Sequence, residues 1–286
     1  MIKCIKGVNR MRKYTAAVIQ IDSGNDKKKN IEKICHFVQQ ASEMGAEFIA
    51  LPECSVYEGT DIKENAEEIP DGESFRCFSD LAKKYNVYIH CGSIYEKGKD
   101  ERPFNASMLI SPDGKLMAKY HKIHPFDVEL SDGTWVRESD DICPGDSIVM
   151  AESDDIGKIG FAICYDIRFA EIFRLMALGG AEVFVTPANF TYTTGKDHWE
   201  TILRTRAIEN GCYVIAPCQC GEKSKFKAYG NSMIIDPWGN IIARAGEEEC
   251  IITAEIDLDY VERVRKQIFM LENRREDIYS LKYNKK

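Results

Sequence analysis

The order of apolar segments along the 286 residues predicts an α/β fold, a four-layer α-β-β-α sandwich in which two mixed sheets face one another with internal pseudo-symmetry. Three observations lead there. Short apolar strands alternate with amphipathic helices. The strand–helix order runs twice along the chain. The two runs also share sequence at corresponding places.

In the first run, Tyr14–Ile21 reads as a buried strand. Asp26–Met44 reads as a helix, since Ile31, Ile34, Cys35, Val38 and Ala41 recur at helical spacing and Gly45 can close it. Phe48–Leu51 is a short strand stopped by Pro52. A helix over Phe75–Tyr85 and a strand over Val87–Ser93 follow. Ser107–Ile110 and Lys115–Tyr120 form a hairpin across Ser111-Pro112-Asp113-Gly114, where Pro presets φ and Gly accepts a positive one.

The second run begins with the strand Ile159–Ile163, a sharp turn and a helix over Arg168–Leu178. Val183–Thr186 is a strand ended by Pro187. A helix over His198–Asn210 reaches Gly211, and the strand Tyr213–Pro217 leads to a hairpin across Asp236-Pro237-Trp238-Gly239. Gly45-Ala46-Glu47 before Pro52 matches Gly180-Ala181-Glu182 before Pro187. Ser107-Met108-x-Ile110-x-Pro112-x-Gly114 matches Ser232-Met233-x-Ile235-x-Pro237-x-Gly239. Two matches in the same order imply a duplicated unit. With no low-complexity linker between the halves, residues 14–286 are expected to form one domain. Residues 1–13 read as an extension, with Met11 an alternative start.

Composition narrows the function classes. A net charge of -8 with scattered lysines and arginines argues against nucleic acid as a partner. No apolar run reaches transmembrane length and no apolar leader opens the chain, so neither a membrane nor secretion is expected. Eleven cysteines at irregular spacings, without Cys-x-x-Cys, fit reduced thiols in a cytoplasm better than a disulfide framework or a zinc site. No metal and no cofactor is expected.

Three segments place a reactive side chain where an apolar strand ends: Glu53 after Leu51-Pro52, Lys122 after Tyr120-His121, and Cys164 after Ala162-Ile163. Each has an ordinary reading as well. Glu53 could aid a helix start, Lys122 could be a surface charge and Cys164 a buried apolar residue. His121 and His124 could be structural. Residue types and spacing leave these readings open.

At these segments the chain resembles the nitrilase, or carbon–nitrogen hydrolase, superfamily. The signatures are Pro52-Glu53, Tyr120-x-Lys122-x-His124 and Cys164-Tyr165-Asp166-x-Arg168, and they stand in the family's order. Glu138, in Arg137-Glu138-Ser139 before Pro144-Gly145-Asp146, resembles the family's second glutamate. The resemblance runs from about Tyr14 to Tyr279 and takes in Asn189-Phe190 and Thr193-Thr194-Gly195. It implies hydrolysis of a small linear amide through a thioester on Cys164, with Glu53 as general base and Lys122 and the Tyr165 N–H stabilising the oxyanion. Glu138 would hold Lys122. The chemistry suits these residue types, since a free thiol needs a base or a cation beside it and a covalent intermediate divides a difficult step.

Tyr165-Asp166 after the nucleophile, where true nitrilases usually have Trp first, is similar to the amidase branches. Cys164–Glu171, the Thr-Thr-Gly-x-x-His-Trp-Glu segment and Asp236–Gly239 resemble ω-amidases and deaminated-glutathione amidases. That resemblance implies a short dicarboxylate monoamide such as α-ketoglutaramate. Its carboxylate would be held by Arg168 and Thr194, with Tyr165, Asn189 and Phe190 on the substrate side. A deaminated-glutathione or N-carbamoyl substrate is the alternative. A non-catalytic redox or interaction protein on the same fold is the reading from another class, separated by the reactivity of Cys164. A homodimer is implied, with Gly160–Leu178 and Leu258–Tyr279 as contributors.

Overall fold

The computed structural model describes residues 12–98, 101–129 and 135–284, so most of the expected N-terminal extension lies outside the described residues. The first half runs β1 (Lys13–Gln20), α1 (Lys27–Glu43), β2 (Phe48–Ala50), α2 (Glu73–Tyr85), β3 (Tyr88–His90), β4 (Ile94–Glu96), β5 (Phe104–Ile110) and β6 (Leu116–His121). A small ribbon of β7 (Asp127–Glu129) and β8 (Trp135–Arg137) follows. The second half runs β9 (Met150–Ser153), β10 (Gly157–Phe161), α3 (Ala170–Leu178), β11 (Val183–Val185), α4 (Tyr192–Asn210), β12 (Tyr213–Ala216), β13 (Met233–Ile235) and β14 (Ile241–Arg244). The chain then ends in β15 (Cys250–Asp257) and α5 (Leu258–Ile268).

The duplication read from sequence is a duplication of topology. One sheet has the order β15-β1-β2-β3-β5-β4 with β6 also on β5, and the other is β14-β13-β12-β11-β10-β9. In each, three parallel strands (β1, β2, β3 or β10, β11, β12) are followed by two antiparallel ones. Each closing hairpin carries an irregularity at the same place, Leu109/Ile110 and Ile234/Ile235. Each turn also uses its predicted glycine at positive φ, Gly114 at 77° and Gly239 at 90°.

Alternation along the strands sorts side chains into layers. Ala17, Ile19, Ile49, Ile89 and Ile110 pack outward against Ile34 and Val38 of α1 and Phe78 and Leu81 of α2. Tyr14, Ala16, Val18, Phe48 and Ala50 point the other way and join Ile159 and Phe161 of the second sheet. Phe173 and Met176 of α3 and Trp199 and Leu203 of α4 cover that sheet's outer face.

Several expected boundaries shift. The first strand starts at Lys13, which pairs with Asp257, so residues 12 and 13 already belong to the folded body: Arg12 bonds Glu182. The helix expected from Arg168 starts at Ala170, because a 3-10 turn over Cys164–Arg168 precedes it. The helix expected from His198 starts at Tyr192. Its first turn holds Thr193-Thr194-Gly195, poor helix formers by themselves. Gly195 is there for space: a Cβ would lie 2.4 Å from the Tyr229 ring. Among the apolar residues of the tail, Leu258, Val261 and Val264 are buried in the chain's own core, not offered to a partner. Ile268 is about half exposed, as are Phe269 and Tyr279.

Candidate active site

The strand ends β2, β6, β10 and β11 bring the chemistry together. Pro52 ends β2 and the next residue, Glu53, is 3% exposed. The turn is crowded from the adjoining strand end, where Gly92 sits at φ 71° and a Cβ would lie 1.8 Å from the Pro52 carbonyl oxygen. Lys122 follows β6, tied by its N–H to the Asn105 carbonyl at 2.9 Å, and is 1% exposed.

A buried ammonium is tenable only with close anionic partners. Lys122 Nζ donates to Glu53 Oε1 at 3.0 Å and to Glu138 Oε1 and Oε2 at 3.1 and 2.8 Å. Burial pulls the ammonium down, but Glu138 and Glu53 outweigh it and hold its pKa well above the ordinary value. Glu138 opens the 3-10 turn after β8, and its Oε2 also accepts the Phe126 N–H.

Cys164 stands at φ 45°, a left-handed conformation that costs a non-glycine residue about 1–3 kcal/mol unless its surroundings enforce it. They do. Cys164 N–H donates to the Pro187 carbonyl at 2.8 Å. The fully buried Asp166 carboxylate accepts from the Ile163 N–H at 2.8 Å and from Tyr120 Oη at 2.7 Å, and it also holds His124. The link from Cys164 to Glu53 runs along the next strand end: Pro187 accepts the Cys164 N–H, and two residues on the Asn189 N–H donates to Glu53 Oε2 at 2.7 Å. Burial pushes the thiol pKa well above the ordinary range, and the Glu53 charge adds to the push against the pull of Lys122 and the Asn189 N–H. Cys164 is thus a buried thiol whose proton is held more tightly than usual, at a site that also contains the buried Glu53 carboxylate and Lys122 ammonium.

Glu53, Lys122, Glu138 and Cys164 thus form one cluster. Tyr165 N–H lies in the opening of the 3-10 turn, where N–H groups have no partner within the turn. Asn189 N–H donates to Glu53 Oε2 at 2.7 Å. Phe190 is buried against Trp199, and the Arg168 guanidinium lies over the Phe190 and Tyr165 rings at 5.4 and 5.8 Å. Arg168 therefore ends the 3-10 turn at Cys164 as a stacked cation beside His198 Nδ1. Thr194 Oγ1 meets Thr191 Oγ1 at 2.9 Å at the start of α4. His121 lies outside the cluster, bonded to Glu96 and stacked on Phe104, and His124 stacks on Phe169.

Sequence reasoning passed over four contributors. Asn105 Nδ2 donates to Glu53 Oε1 at 2.9 Å; a polar residue inside the apolar run of β5 was the available signal. Asp166 and Tyr120 were read as motif letters, without their task of fixing the nucleophile turn. Glu58 reaches the cluster through Asn189 Nδ2 at 3.0 Å, and nothing in its local sequence announces that.

The comparisons with known proteins place the chain in a family. The family model described as carbon-nitrogen hydrolase matches residues 15–266. Omega-amidase NIT2 of Xenopus tropicalis is 39% identical, with 96% of this chain and 100% of that protein covered. The Homo sapiens protein of the same name is 36% identical over the same shares. The crystal structure of the Caenorhabditis elegans NitFhit protein superposes with a TM-score of 0.89 at 35% identity, covering 96% of this chain and 68% of that one. Saccharomyces cerevisiae Nit3, described as a member of branch 10 of the nitrilase superfamily, superposes with a TM-score of 0.83 at 31% identity over 92% and 97%. With a family model over most of its length, relatives matched end to end and the family's sandwich as its fold, this chain belongs to the carbon–nitrogen hydrolase family.

Proposed function

We propose that the protein is an ω-amidase-like enzyme that releases ammonia from the terminal amide of a short dicarboxylate monoamide, using Cys164, Glu53 and Lys122. The observation that carries this reading is the buried Lys122 ammonium shared by Glu53 and Glu138, with Cys164 brought to the same place by its N–H bond to Pro187, two residues before the Asn189 that donates to Glu53. Glu53 takes the thiol proton as sulfur attacks the amide carbon. Lys122 and the Tyr165 N–H face the developing oxyanion, where one well-placed donor is worth about 2.7–4 kcal/mol. Glu53 then returns the proton to the leaving nitrogen, and ammonia departs from a thioester. A water molecule deprotonated by Glu53 attacks the thioester, and the expelled sulfur recovers its proton. Glu138 holds Lys122 in place.

Arg168 makes no ion pair with a described carboxylate, and its guanidinium is held by the Tyr165 and Phe190 rings. A planar fork so placed suits the free carboxylate of a monoamide such as α-ketoglutaramate. Asn189 and Thr194 complete the substrate side of the pocket in this reading. A cytoplasmic homodimer belongs to the same proposal, with Ile268, Phe269, Ile278 and Tyr279 as apolar surface for a second copy to cover.

Ammonia release from α-ketoglutaramate by the wild type and by Cys164→Ala tests the assignment. Turnover by the wild type that vanishes in the variant supports it. Turnover that survives in Cys164→Ala overturns the nucleophile. A wild type inert toward α-ketoglutaramate but active on deaminated glutathione or a carbamoyl compound keeps the chemistry and overturns the substrate.

A further inference from the structure

The proposed mechanism uses two carboxyls and leaves a third beside them without a task. Glu58 lies in the same loop as Glu53, and its N–H is tied to the Gly24 carbonyl at 3.0 Å. Its carboxyl turns inward, where Oε2 accepts from Asn189 Nδ2 at 3.0 Å. Burial raises its pKa, and the Glu53 charge adds to that against the Lys223 ammonium and the hydrogen bond from Asn189. A carboxyl kept half-buried next to another acid is unfavourable unless it does something there.

What it does is visible at Asn189. This residue lies in the link between β11 and α4, and its N–H donates to Glu53 Oε2, not to a strand neighbour. Its side-chain Oδ1 is buried with no partner among the described residues, so Glu58 holds the amide through Nδ2 alone. The chain of contacts runs Glu58 to Asn189 to Glu53. We propose that Glu58 is a positioning residue for the general base: by fixing the Asn189 side chain it keeps the Asn189 N–H on Glu53 Oε2 and the carboxylate aimed at the Cys164 thiol. The inference rests on the reading of Glu53 as base.

The test is the rate at which iodoacetamide alkylates Cys164, followed by peptide mass spectrometry, together with kcat and KM for ammonia release. Glu58→Ala should slow alkylation and lower kcat by about tenfold or more, the scale of a displaced catalytic group. KM reports the separate place of the Asn189 side chain on the substrate side, so the alkylation rate and kcat, not KM, decide the positioning role. Glu58→Gln keeps an acceptor oxygen for Asn189 and should restore most of the rate. Asn189→Ala breaks the same contact from its other end, so the double variant with Glu58→Ala should be no slower than the slower single one. Losses that multiply in the double variant, or a Glu58→Ala protein that alkylates at the wild-type rate, overturn the proposal. If Glu58→Ala does not fold, Asn189→Ala decides, and a wild-type rate there overturns it equally. Glu53→Gln separates the two levels. If it alkylates at the wild-type rate, the base assignment falls and takes this proposal with it. If it is slow while Glu58→Ala is not, only the role of Glu58 falls.

Discussion

Lys122 concentrates the energetics of the site in one side chain. Its ammonium is the shared partner of Glu53 and Glu138, and both carboxylates lose that partner if it is removed. Breaking a buried pair from one side costs about 3–5 kcal/mol. For a chain of this size each kcal/mol moves Tm by about 2–4 °C. Lys122→Met is therefore expected to lower Tm by roughly 6–20 °C and to reduce turnover by more than about 100-fold, the scale of a lost oxyanion donor. Calorimetry and ammonia release check the two halves separately. His121→Asn is the contrasting variant. Its ring serves Glu96 and Phe104 instead of the thiol, so appreciable turnover should survive. A dead His121→Asn with an active Glu53→Gln would reverse the assignment of the base. Glu53, Lys122 and Cys164 were legible in the sequence as motif residues. Their mutual contacts were not, because the three come from separate strand ends.

At the scale of elements, the start of α4 is the informative case. Thr-Thr-Gly hides a helical turn from propensity arguments, yet the turn forms because Gly195 lets the backbone close on the Tyr229 ring. Gly195→Ala would ordinarily favour a helix. Here the added methyl must displace the ring, and overpacking of this kind costs about 1–3 kcal/mol. The expected outcome is a lower Tm and a raised KM, since Phe190 and Thr194 flank this turn. A Gly195→Ala protein with a higher Tm would show that the ring yields freely. The 3-10 turn at Cys164 makes the complementary point. The motif announced a reactive cysteine, but the left-handed φ that projects it is enforced by Asp166, Tyr120 and Pro187.

Across the whole molecule, buried titratable groups bound the pH range of stability. His90, on the inter-sheet face of β3 beside Phe161, is pushed down by burial to about 3 from 6.5. The unfolded chain therefore takes up that proton first, and stability is lost as pH falls below about 6.5, by up to a few kcal/mol near pH 4. The buried thiols run the other way. Burial pushes Cys91, Cys218 and Cys220 up to about 12 and Cys212 to about 11 from 9.0. Their protons leave the unfolded chain first, so stability is lost as pH rises above about 9. Tm should be highest between these limits and fall on both sides. His90→Leu should flatten the fall between pH 6 and pH 4, and an unchanged acid limb in that variant would remove His90 from the account.

The sequence by itself determined the layer order and the duplication and pointed to Glu53, Lys122, Glu138 and Cys164 as the candidate site, because these depend on periodicity, turn chemistry and short local motifs. Paired matches such as Ser107–Gly114 with Ser232–Gly239 fall on β5–β6 and β13–β14, at equivalent places in the two sheets. What only the tertiary structure decided are the contacts between distant segments. Glu58 meets Asn189, Asn105 meets Glu53 and Tyr120 meets Asp166. In the tail helix α5, Leu258, Val261 and Val264 close on the chain's own body, while Ile268 at its end stays about half exposed. No local signal names the partner in any of these pairings. Each exists because two sheets, folded from separate halves, bring their strand ends together.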